Sequence, residues 1–178
     1  MGVTTTIYSV EPGMMKKVEE DNEKLAYITG DCEENENWKA ESFDFDTGVN
    51  TYIKIFFNAG AKETRKMIDS EYVDLDLFDF NGYNIWVLPP SDVQTMMGEL
   101  DAITPAVEEK IISYSLMNIV NGTIVIDNHE VEVLKITDRR GRSLSPDEIR
   151  GYLDSVRSFK AFLKKVVEQK NYLIFSEA

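Results

Sequence analysis

Ser145-Pro146-Asp147-Glu148 is a capping box with proline at the first helical position, and it dictates the last third of this chain. The serine oxygen is placed to accept the backbone N–H of Glu148, and the Glu148 carboxylate to reach back, so two otherwise orphaned donors are satisfied. Ile149, Leu153, Val156, Phe159, Leu163 and Val167 then recur at helical spacing. A stripe of this kind lasts about six turns and demands an apolar surface to lie on. Tyr172 to Phe175 follows as an apolar run and is expected to be a buried strand supplying that surface.

Similar signals organise the rest. Thr4 to Val10 is rich in β-branched and aromatic residues and reads as a strand, with a short helix after Pro12 through Met14-Met15-Lys16-Lys17-Val18. Leu25 to Ile28 fits strand or helix. Asp31 to Glu41 is polar and acidic, an exposed loop anchored by Trp38. Val49, Tyr52, Ile53, Phe56 and Phe57 have helical spacing ahead of Gly60, which predicts a helix entered through Phe43-Asp44-Phe45-Asp46 and capped by Asp46.

Val73, Leu75 and Leu77 alternate with Asp74 and Asp76 as in a half-buried strand. Asn81-Gly82 gives a turn before a strand from Tyr83 to Leu88, which Pro89-Pro90 ends. A helix is expected from Pro90 or Ser91 to Leu100 and a second from Thr104-Pro105 to near Gly122. Thr123 to Ile126 and Val131 to Thr137 read as a hairpin, with His129 in its turn, followed by the basic loop Arg139, Arg140, Gly141, Arg142.

With 178 residues and 43% hydrophobic content, one domain with its own core is expected. No window approaches the roughly 18 to 20 apolar residues of a membrane span, and the first residues lack a signal-like core, so the expected setting is cytoplasmic, without membrane contact. Cys32 is the only cysteine and His129 the only histidine, which argues against an internal disulfide, a zinc cage or a histidine-dependent nucleophile. Neither phosphate-binding glycine motif is present, and no cofactor is expected.

Four stretches, taken together, resemble the YfbM-like family of bacterial domains of unknown function. They are Met1-Gly2 to Val10, Phe43-Asp44-Phe45-Asp46 to Gly60, Gly82-Tyr83 to Val93, and Tyr152 to Phe175. The resemblance implies an α+β fold, a single domain over 1-178 with helices packed on a small mixed β-sheet, and no reaction. The segment 123-142, hairpin and basic loop, looks inserted relative to that pattern. Where the family pattern carries Trp and His at its aromatic helix, this chain has Gly48, Val49 and Asn50.

Asp46-Thr47-Gly48 matches an aspartic-protease loop, but no second hallmark accompanies it, and the helical content downstream exceeds that of such β-rich subunits. The net charge of -13 disfavours nucleic acid and suits a basic protein partner. The leading expectation is therefore a non-catalytic protein acting through protein-protein interaction. The alternative is an enzyme or small-ligand binder using Asp44 and Asp46 with Tyr83 or Trp86 nearby, and Arg139, Arg140 and Arg142 form a candidate grip for an anion or acidic partner. The sequence sets neither a metal site nor an oligomeric state.

Overall fold

The computed structural model describes residues 5–29, 40–45, 63, 79–80, 83–116, 122–126, 129–133 and 146–177. Strands β1 (Thr5–Val10), β2 (Glu41–Phe45), β3 (Asp79–Phe80), β4 (Tyr83–Leu88) and β7 (Tyr172–Glu177) form one sheet in the order β2-β1-β7-β4-β3. Strands β5 (Gly122–Ile126) and β6 (His129–Val133) form a separate two-stranded sheet. The helices are α1 (Pro12–Glu20), a 3-10 turn (Asn22–Lys24), α2 (Leu25–Thr29), α3 (Pro90–Leu116) and α4 (Pro146–Gln169). The fold is α+β, as expected. Every described pairing is antiparallel, however, so the expected mixed sheet is corrected to an antiparallel one.

The centre of the sheet is β7, flanked by β1 and β4, with Ile7 opposite Phe175 and Val87 opposite Ile174. Leu173, Ile174 and Phe175 are all buried, which explains why this strand reads as a continuous apolar run: both of its faces are covered. On one face Val10 and Ile174 pack with Met15, Val18, Leu25 and Ile28 from α1 and α2. On the other, the Phe43 ring lies 5.7 Å from that of Phe159 and 5.8 Å from that of Phe162, which sets α4 against the sheet.

Helix α4 starts at Pro146, where the capping box places it, and buries Leu153, Val156, Phe159, Phe162, Leu163 and Val166. Each such side chain contributes roughly 1.5–3 kcal/mol on leaving water. Val166 replaces the expected Val167 as the fully buried residue of the last turns, and Phe162 joins the face, because α4 packs against α3 as well as the sheet. The helix ends in a Schellman turn. The Asn171 N–H donates to the Val166 carbonyl at 3.0 Å, the Lys170 N–H to Val167 at 3.1 Å, and Lys170 takes the left-handed φ of 55°. Buried Asn171 then donates its side-chain amide to Ser9 Oγ at 2.9 Å, tying the helix end to β1.

The two helices expected on either side of Thr104-Pro105 are one continuous helix, α3. Proline at 105 removes the N–H that would serve the Asp101 carbonyl, but Asp101 and Pro105 both lie on the exposed face, where water can reach that carbonyl. Val93, Met96, Leu100 and Ile103 carry the buried stripe up to this point, and buried Thr104 donates its hydroxyl to the Leu100 carbonyl. Two ion pairs run between α3 and α4, with Lys160 Nζ 2.7 Å from Asp101 and Arg157 bound through Nε and Nη2, each at 3.0 Å, to both carboxylate oxygens of Glu108. The rising numbers on α3 meet falling numbers on α4, so the helices are antiparallel.

Candidate functional site

The helix expected beyond Asp46 lies outside the described residues, but the stretch expected to lead into it, Phe43-Asp44-Phe45, is extended. It is the end of β2, paired in register with Thr5 to Ile7 of β1. The physical reason is the alternation itself: Phe43 points its ring at α4, and Asp44 takes the opposite side of the strand and stays exposed. There the Thr6 hydroxyl donates to Asp44 Oδ1 at 2.7 Å. Three residue pairs along, Glu41 is joined to α4 by Lys165 at 2.8 Å. Asp44 thus has a local partner across an antiparallel pair, a contact of the kind that stabilises sheets by roughly 0.2–1 kcal/mol.

The candidate groups are not gathered at one place. Asp44 lies on β2, whereas Tyr83 and Trp86 are positions of β4, with β1 and β7 between the two strands. At about 4.8 Å per strand step, β2 and β4 are roughly 14 Å apart. Asp46, Arg139, Arg140 and Arg142 fall outside the described residues, as do Cys32, Trp38 and the expected aromatic helix from Val49 to Phe57. His129 is not in a turn: it opens β6 opposite Ile126, which leaves only Asp127 and Asn128 to connect the hairpin strands. Among the described residues no group of three or more His, Cys, Asp or Glu side chains is arranged to hold a metal ion. None of the described helices is long and apolar enough to cross a membrane.

What the structure adds is a distinction among the carboxylates. Where α3 and α4 meet, three of them are matched to cations: Asp101 to Lys160, and Glu108 and Asp154 to Arg157. The Arg157 guanidinium is held above its ordinary pKa by its hydrogen bonds to Glu108, by the charge of Glu108, and by Asp154. At the end of α1 the arrangement differs. Glu19, Glu20, Asp21 and Glu23 are all exposed, and among the described residues only Asp21 has an ion-pair partner there, Lys24 at 3.4 Å.

Local chemistry fixes that corner. The Asp21 backbone N–H closes α1 by donating to the carbonyls of Lys17 and Val18, each at 3.2 Å, and its carboxylate accepts the Glu23 N–H at 3.2 Å. Beneath it Val18 and Leu25 are buried in the core, so the turn is held in place from below. Sequence reasoning based on the total charge passed over this group. Its signal was the run Glu19-Glu20-Asp21-Asn22-Glu23 directly after an apolar helical residue. Comparison of the chain with protein-family models, curated proteins and solved structures finds no match.

Proposed function

We propose that this protein acts by binding a basic protein through its acidic surface, with the corner formed by Glu19, Glu20, Asp21 and Glu23 as the leading contact. The observation that carries this reading is the clustering of charge: four exposed carboxylates within five residues stand on an anchored turn where Lys24 pairs with Asp21, whereas Asp101, Glu108 and Asp154 of α3 and α4 each meet a lysine or arginine. A fixed cluster of like charge speeds and orients the approach of an opposite one, and it repels phosphate backbones. The cytoplasm is the proposed setting. A single cysteine, which rules out a disulfide within the chain, is in keeping with it. Kinship with the YfbM-like domains is likewise a proposal. It is supported by the strand at Thr5–Val10, by strand Tyr83–Leu88 running into helix α3, and by the final helix and strand.

The test is a comparison of two variants of equal charge. One replaces Glu19, Glu20 and Glu23 by Gln, and the other replaces Glu109, Glu168 and Glu11. Binding of each to a short oligolysine peptide is measured by calorimetry from roughly 0.05 to 0.5 M salt, a range over which screening of exposed charges becomes nearly complete. The corner variant is expected to lose about tenfold in affinity, roughly 1.4 kcal/mol, and the scattered variant much less. Equal losses would reduce the reading to non-specific attraction by net charge, and binding indifferent to salt would remove it.

A further inference from the structure

We draw no further inference here: the strongest candidate, the outer edge of β2 beside the Thr6–Asp44 hydrogen bond and the Glu41–Lys165 ion pair, carries nothing because nothing in the structure shows what covers that edge.

Discussion

The seam between α3 and α4 and the corner at the end of α1 are both rich in carboxylates, yet they use them in opposite ways. At the seam, Asp101, Glu108 and Asp154 each meet a cation, and the pairs lie above a layer of buried side chains that includes Leu153, Val156 and Phe159. Exposed pairs of this sort contribute little to stability, up to about 1 kcal/mol each, and serve more to set the register of the two helices. At the corner four carboxylates crowd into five residues, and the turn is held by the hydrogen bonds of Asp21, its ion pair with Lys24 and the core beneath. Charge at the seam joins two helices, and charge at the corner is the part that the proposed function assigns to a partner.

The comparison can be broken most sharply at the seam's apolar layer. Phe159→Ala removes a ring with 1% exposure that also meets Phe43, and a loss of about 3–5 kcal/mol is expected in denaturant unfolding. A loss below about 1 kcal/mol would mean that α4 is not seated as described. Next comes the tie at the helix end. Asn171→Ala strands Ser9 Oγ in a buried place and is expected to cost roughly 1–3 kcal/mol, with Ser9→Ala in the same background recovering part of it.

Lys170→Gly acts in the opposite direction. Glycine carries no steric penalty at a φ of 55°, so a gain of roughly 0.5–1 kcal/mol is expected, read as a higher midpoint with an unchanged denaturant slope. The Arg157–Glu108 pair should give a coupling of no more than about 1 kcal/mol in a double-mutant cycle, since the Arg157 side chain is 53% exposed and solvent screens it. The smallest effect on stability belongs to the corner. Glu19→Gln, Glu20→Gln and Glu23→Gln together should leave unfolding within about 0.5 kcal/mol of the parent. A large destabilisation there would show that the corner is structural after all.

What the sequence made legible follows from how local each signal is. Pro146 and the stripe after it placed α4, Pro89-Pro90 placed the junction of β4 and α3, and the run from Tyr172 placed β7, because caps, prolines and apolar runs act within a few residues. Pro105 misled because a proline inside a helix costs less where the freed carbonyl faces water, and its exposed position is set by packing that sequence alone does not show. Phe43-Asp44-Phe45 is too short for its period to separate strand from helix, and its pairing with β1 bridges a long stretch of chain. His129 shows the same limit, since hairpin register depends on which partner each residue meets. The candidate site was least legible. Total charge suggested only a kind of partner to propose, and which carboxylates meet a cation depends on α3 and α4 lying side by side.

The central claim is that the corner at Glu19 to Glu23 receives a basic partner, and amide chemical shifts test it most directly. An oligolysine peptide titrated into the isotopically labelled chain at low salt should perturb the amides from Lys16 to Lys24 first and most strongly, and the effect should vanish near roughly 0.5 M salt, where the screening length is only a few ångströms. Shifts spread evenly over the surface, or centred on the paired carboxylates of α3 and α4, would contradict it.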